Sequence, residues 1–462
     1  MKSMIAKKLA NAPAIGFFVS LSISLYLFIS SILYSLPFQR LRAGNTRSFF
    51  DDRDGWLDLA SAISQGKFEP ELTWQLAFWT PGNIGILSLG NVLFQSTYLA
   101  AIFHVFIVSI SQATLVCLII RSFHLSHKYY LLTIIGVIVF HLSFLYQSAF
   151  VDSVLCPDYL ASILFCSAIV LLYEYINEKA FKLSNFIAIV FFASASAYIR
   201  ITAYQIVIIS LFICILYTIY KIITKQILTL RFKKIFSLLI VIVLTFVPWI
   251  VIRSEIAYNG NYFKAAQFSY QGKLALGLQW ADSKDFLKYP EFELMGLGIA
   301  CKIDPVKCEY FSERKIMIEN KILDVTMDDE FEYRSIEALK TFVKNPFEWF
   351  VLKSKYIPST YFQSSVYDTV DGKKHFSLDL VLITLLLPYN IFVITRLRDK
   401  YSKYFMATVQ FVALSLFLQL FLTQVLLRFY LPSIMLTILT SILSTRIFVK
   451  EKLTYRSQLS SL

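Results

Sequence analysis

Long apolar runs separated by short basic connections recur along this chain, and they constrain its fold more than any other feature. A helix needs about 20 apolar residues to cross a bilayer. Runs of about this length occupy positions 15–36, 98–120, 129–146, 159–176, 183–199, 203–220, 235–252, 378–395, 405–427 and 430–448. They predict an α-helical integral membrane protein with about ten transmembrane helices. The Gly-rich run 84–94 is too short to span and is predicted to be re-entrant or interfacial.

The composition supports a membrane protein and argues against nucleic-acid binding. Only 16% of the residues are charged, against roughly 25% in soluble domains, and the mean hydropathy is +0.61. The net charge of +13 comes from short clusters between apolar runs, and no single basic patch or binding motif is present. The basic N-terminus and the run 15–36 resemble a signal peptide. That run is long enough to span and has no evident small-residue cleavage site, so it is predicted to be an uncleaved first helix.

The charge distribution predicts the orientation of the chain in the membrane. With the N-terminus inside, the cytoplasmic connections are 1–14, 121–128, 177–182, 221–234, 396–403 and 446–462. They hold 20 Lys and Arg residues against three acids, Glu178, Asp399 and Glu451. The positive-inside rule therefore predicts cytoplasmic N- and C-termini.

Two long segments then face away from the cytoplasm. The sequence predicts a transmembrane core over 1–252 whose first outer loop is 37–97, a soluble extra-cytoplasmic loop domain over 253–376, and C-terminal transmembrane helices over 377–462. Cys301 and Cys308 stand as a pair inside the larger loop, with a turn-favouring Asp-Pro between them. In an oxidising compartment they are predicted to form a disulfide, the alternatives being free thiols or a metal pair.

The first outer loop contains an amphipathic helix preceded by acids. Apolar residues at Trp56, Leu59, Ala60 and Ile63 follow helical spacing and predict a helix that can lie on the membrane surface.

Three carboxylates, Asp51, Asp52 and Asp54, stand just before that helix. N-capping explains one of them but does not easily explain three within four residues. A carboxylate at the membrane surface can act as a general base toward a hydroxyl or bind a cation.

Other charged residues are predicted at the same side of the membrane. Arg200 and Arg428 lie at outer ends of spans, where a planar guanidinium suits phosphate, unless these side chains only extend to lipid headgroups. Asp152 and Asp158 lie in a short outer connection as candidate substrate or metal ligands. Asp158, following a proline, also fits the start of a helix, where an acid favours the helix dipole.

Several segments match one pattern in sequence order. Asp52, Trp56, Leu59-Ala60 and Gly66 resemble a first-loop D-x3-Y-x2-L-A…G signature, and Thr80-Pro81-Gly82 resembles the Pro-Pro-Gly that follows it. Later matches are Pro248-Trp249 with Arg253 and Gly260, Asn345-Pro346 with Trp349, and Arg428-Phe429-Tyr430-Leu431-Pro432. Three departures are Ser254 in place of an Asn, one extra residue between Trp249 and Arg253, and the intruding Phe429.

Together these segments resemble bacterial family-39-like polytopic glycosyltransferases of the GT-C class, akin to lipid A aminoarabinose transferases and protein O-mannosyltransferases. The resemblance implies a polyprenyl-phosphate-linked sugar donor, a glycan, lipid or protein acceptor, and transfer at the outer face of the membrane. Asp52 would be the base of an inverting reaction. The phosphate would be held by basic residues, the candidates being Arg200, Arg253, Arg428 and Lys273.

Two points stay open. A divalent metal ion is a possible cofactor, with Asp52 and Asp158 as candidate ligands, but no ligand spacing demands one. The competing functions are a lipid-linked oligosaccharide flippase or exporter and an O-antigen-type polymerase. The large outer loop and the clustered outer acids favour the transferase.

Overall fold

The computed structural model describes residues 12–34, 42, 56–67, 80–123, 157–178, 182–225, 229–257, 260–266, 343, 346–347, 378–418 and 427–459. Within these residues the chain is helical and contains no β-strand. The helices are α1 Ala12–Tyr34, α2 Trp56–Ser64, α3 Pro81–Phe94, α4 Thr97–Phe123, α5 Pro157–Asn177, α6 Leu183–Ile199, α7 Ile201–Ile223, α8 Leu230–Ala257, α9 Tyr262–Ala266, α10 Leu378–Arg396, α11 Lys400–Leu418 and α12 Leu427–Leu459.

Five helices of the described part are long and apolar enough to cross a membrane. Their apolar stretches are Thr97–Ser122, Tyr159–Asn177, Thr202–Ile223, Leu230–Ile256 and Ser433–Lys452. Shorter apolar helices occur at Pro13–Tyr26, Pro81–Phe94, Leu183–Ile199 and Leu385–Arg396. The predicted class of a helical membrane-type chain is confirmed for this part. The predicted span 129–146 and most of both long outer segments lie outside the described residues, so the number of spans stays a prediction.

The chain divides into two compact units, Met1–Leu145 with Phe150–Phe268, and Tyr146–Ala149 with Ser269–Leu462. The first unit holds α1 to α9, and the second holds α10 to α12. The predicted domain boundaries near 252 and 376 stay predictions.

Hydrogen bonds between α5, α6 and α8 define the two ends of the first unit. The Ser196 hydroxyl near the end of α6 donates to the carbonyl of Ala161 near the start of α5 (2.7 Å), so these helices are antiparallel. At the other end, the Lys234 ammonium at the start of α8 donates to the carbonyls of Tyr175 (3.2 Å) and Glu178 (2.9 Å). The end of α5 and the start of α8, which border connections predicted to be cytoplasmic, therefore meet at one end of this unit.

Helices α3 and α4 form a tight antiparallel hairpin. Pro81 begins α3, where its missing N–H is not needed. Gln95, in a left-handed conformation (φ 51°), ends it. A Cβ added at Gly90 would lie 2.8 Å from the Cα of Ala100, so only glycine allows this approach. The predicted short element at 84–94 is therefore a helix packed along α4.

Helix α2 forms where the apolar spacing predicts it. Leu57, Leu59 and Ala60 are buried, and α2 packs against α3. That this helix lies on the membrane surface stays a prediction.

A buried polar network joins the three helices of the second unit. The Asn390 amide nitrogen of α10 donates to the side-chain oxygen of Gln410 of α11 (2.7 Å) and to the carbonyl of Thr437 of α12 (3.0 Å). The Ser441 hydroxyl donates to the Asn390 amide oxygen (2.5 Å). Such buried networks fix which helix faces meet, because each unmade bond would be costly.

Candidate functional site

Arg200 is the one non-helical residue between α6 and α7. Its backbone is extended (φ −143°, ψ 124°), and its N–H donates to the carbonyl of Ser196 (2.8 Å). The Arg200 carbonyl accepts from the N–H of Ala203 in the next helix (3.2 Å). The residue is only 5% exposed, and burying a guanidinium is costly unless it serves an interaction. Its predicted place at the end of a helix is confirmed.

The start of α3 lies against the same end of α6. The Thr80 hydroxyl donates to the carbonyl of Ile199 (2.8 Å) and, within the described chain, makes no cap bond to its own helix. A Cβ at Gly82 would lie 2.7 Å from the carbonyl oxygen of Tyr198. The Thr-Pro-Gly segment singled out by the resemblance thus lies next to Arg200. Because the first N–H groups of a helix lack intrahelical partners, α3 presents the positive end of its dipole there.

The second buried arginine lies near the end of α8. Arg253 is 3% exposed, and its Nη1 donates to the carbonyl of Ala265 in α9 (2.6 Å). The chain returns through a turn in which the N–H of Gly260 donates to the carbonyl of Ser254 (3.0 Å). Gly260 has φ +79°, a region that favours glycine. Arg253 and Gly260 both belong to the segment, beginning at Pro248, that resembles the glycosyltransferase pattern. Together with α9 they therefore form one local structure.

The position of Trp249 shows that Arg200 and Arg253 lie at the same end of the first unit. Trp249 is packed in one cluster with Ala203 and Tyr204, which lie just after Arg200 at the start of α7. Trp249 also lies one helical turn before Arg253, so both arginines belong to the same end of the first unit. Among the described residues its buried indole N–H has no hydrogen-bond partner. This end therefore gathers donors and positive charge, the arrangement that complements an anion.

The structure covers only part of the predicted site. Outside the described residues lie Asp51, Asp52, Asp54, Asp152, Lys273, Cys301 and Cys308. Asp158 is the second residue of α5 and Arg428 is the second residue of α12, and for both only the helix position is described. The roles predicted for these residues stay predictions. In the described part, no group of three or more His, Cys, Asp and Glu side chains is placed to hold a metal ion.

One buried polar pair was not predicted from the sequence. The fully buried His104 of α4 has its Nε2 2.7 Å from the amide oxygen of Asn83 in α3. An ionisable residue inside an apolar run is the signal that could have indicated it. The partner lies in the neighbouring helix, and local spacing does not reveal it.

No protein-family model, curated protein or solved structure matches this chain.

Proposed function

We propose that this chain is a membrane glycosyltransferase that moves a sugar from a polyprenyl-phosphate donor to a glycan, lipid or protein acceptor at the extra-cytoplasmic face. The observation that carries the proposal is the burial of Arg200 and Arg253 at one end of the first unit, beside the start of α3. A lipid-linked phosphate is an anion that reaches such a site from the bilayer. Its polyprenyl tail stays in the membrane while its head contacts the guanidinium groups.

The reaction assigns a separate role to each predicted group. The acceptor hydroxyl attacks the anomeric carbon, the bond from that carbon to the phosphate oxygen breaks, and polyprenyl phosphate leaves with the electron pair. Arg200 and Arg253 stabilise the charge that develops on the leaving phosphate. Asp52 takes the hydroxyl proton, with Asp51 and Asp54 as the alternative bases. Attack opposite the leaving group inverts the anomeric centre.

The proposal includes a membrane topology of about ten spans in a bacterial plasma membrane, with both termini in the cytoplasm. Two observations support this orientation of the first unit. Lys234 lies where the end of α5 meets the start of α8, which is the side that the positive-inside rule assigns to the cytoplasm. The two buried arginines lie at the opposite end, as a site facing the other compartment requires.

The test is sugar transfer by the purified protein in lipid nanodiscs. The donor is a radiolabelled hexose on polyprenyl phosphate, and the acceptor is a total envelope fraction containing lipid, glycan and protein. We expect label in the acceptor together with an equal amount of free polyprenyl phosphate. A flippase would instead move the intact donor across vesicle membranes without breaking the sugar–phosphate bond, and that result would contradict the proposal.

A further inference from the structure

Two polar side chains of α3 are buried without a hydrogen-bond partner among the described residues. Ser88 is 8% exposed and Asn91 is 6% exposed. The Ser88 hydroxyl and both polar atoms of the Asn91 amide make no bond there. By contrast, Asn83 on the same helix bonds His104. A buried hydroxyl or amide is destabilising unless it finds a polar partner, so Ser88 and Asn91 are candidate contacts for polar groups of a ligand.

The two side chains share one face of α3. They lie three residues apart, which places them one above the other on a helix. That face is covered by the rest of the first unit, where α3 packs against α2 and α4. Leu89 and Leu93 are exposed on the other side of the helix, and Val92, one turn after Ser88, is exposed as well. Ser88 and Asn91 are therefore interior groups, whereas the exposed face of α3 is apolar.

The chemistry of the pair narrows the ligand class. A hydroxyl and a carboxamide each donate and accept hydrogen bonds, as sugar hydroxyl groups also do. A phosphate accepts only, and it is better matched by the donors near Arg200. We infer that Ser88 and Asn91 bind hydroxyl groups of the sugar carried by the donor lipid. This inference rests on the proposed function for the identity of that donor.

The position of the pair along α3 agrees with this assignment. Ser88 and Asn91 follow Thr80 by eight and eleven residues, which is about 12 and 16 Å along a helix axis at about 1.5 Å per residue. Thr80 itself is bonded to the residue before Arg200. An extended arginine side chain, a phosphate and a sugar ring together cover a length of this order. A phosphate at Arg200 thus leaves its sugar beside the interior face of α3.

The experiment separates sugar binding from phosphate binding by thermal unfolding of the full chain in detergent. The ligands are farnesyl phosphate alone and farnesyl phosphate carrying glucose, mannose, galactose, N-acetylglucosamine or aminoarabinose. The variants are Ser88→Ala and Asn91→Leu, with Asn83→Leu as the matched control that breaks the satisfied pair with His104. Replacing an unpaired buried amide by an apolar side chain of similar size should leave the unliganded Tm equal or higher, whereas Asn83→Leu should lower it.

In the wild type, at least one glycosylated lipid should raise the Tm more than farnesyl phosphate does. Ser88→Ala and Asn91→Leu should lose this excess and keep the shift caused by farnesyl phosphate. The inference is wrong if the excess persists in both variants, if no glycosylated lipid gives an excess in the wild type, or if unliganded Asn91→Leu unfolds as early as Asn83→Leu. Failure of farnesyl phosphate alone to stabilise the wild type would instead contradict the proposed phosphate site.

Discussion

The Thr80 hydroxyl donates a 2.8 Å hydrogen bond to the carbonyl oxygen of Ile199, a residue 119 positions further along the chain. Ile199 is the last residue of α6, and the last four carbonyls of a helix have no intrahelical partner. Thr80 therefore satisfies the end of α6 and leaves the start of its own helix uncapped by its side chain. This bond and the close approach of Gly82 to the Tyr198 carbonyl place the N-terminus of α3 beside Arg200.

We predict that Gly82→Ala destabilises the chain by about 1–3 kcal/mol. The new Cβ would lie 2.7 Å from the Tyr198 carbonyl oxygen, and a backbone atom cannot move aside as a side chain can. Gly85→Ala is the matched control, because no atom lies within 4 Å of its added Cβ. Alanine there should stabilise α3 by roughly 0.5–1 kcal/mol. Denaturant unfolding measures both changes, and equal stability of the two variants would contradict the close packing of α3 on α6.

We predict that Arg200→Lys and Arg253→Lys each raise the KM for the donor at least about tenfold, equivalent to about 1.4 kcal/mol. Lysine keeps the charge but loses the planar fork that binds phosphate at two points. Donor titration of the transfer reaction gives the KM. The control is Arg121→Lys, the same change at an exposed position of α4. If both Arg200→Lys and Arg253→Lys keep the wild-type KM, neither arginine binds the donor phosphate, and Arg428 and Lys273 become the candidates.

The positions of the helices could be predicted well from the sequence, and their ends less well. The run 235–252 predicts a span, and α8 extends it in both directions to Leu230–Ala257. Lys234 reads as a span boundary because it is charged. In the structure it lies within α8, where its ammonium donates to the carbonyls of Tyr175 in α5 and of Glu178 just after α5 and lies 4.6 Å from the centre of the Tyr175 ring. Those partners are more than 50 positions away in the chain, so the sequence alone does not reveal them.

The site was predictable as a set of residue types but not as an arrangement. A charge at the end of an apolar run indicates Arg200, and the tryptophan segment indicates Arg253. Nothing local indicates that Thr80 bonds Ile199 or that Asn83 pairs with His104, because each contact depends on how distant helices pack. Ser88 and Asn91 likewise read as ordinary polar residues of a short helix until their burial is known.

We predict that Asp52→Asn lowers transfer by about 10²–10⁴-fold while donor binding persists. The amide keeps the size of the carboxylate but cannot accept the proton of the acceptor hydroxyl. The matched control is Asp58→Asn in the first turn of α2, in the same predicted outer segment, which should retain activity. The measurement is the transfer rate of each variant at saturating donor, compared with the rate of the wild type. Near-normal turnover of Asp52→Asn would remove it as the base and make Asp54 and Asp51 the next candidates.

We predict a disulfide between Cys301 and Cys308. Thiol alkylation of the denatured, non-reduced protein followed by peptide mass spectrometry should leave both unlabelled, and reduction should make both reactive. Cys117, Cys166 and Cys214 are free thiols in α4, α5 and α7 and provide the positive control for labelling. A Cys301→Ser variant should lose about 2–3 kcal/mol of stability, because the short closed loop restricts the unfolded chain.

The same measurement tests the proposed topology of the segment 253–376. Disulfides persist in oxidising compartments and are rare in the cytoplasm of most organisms, so a bond here agrees with an extra-cytoplasmic loop. Protein purified from cells treated with an alkylating reagent before lysis preserves the native thiol state and excludes oxidation during handling. If both cysteines are labelled in that sample, the disulfide is absent. The extra-cytoplasmic placement of the segment then loses this support, and a membrane-impermeant reagent applied to intact spheroplasts decides the side directly.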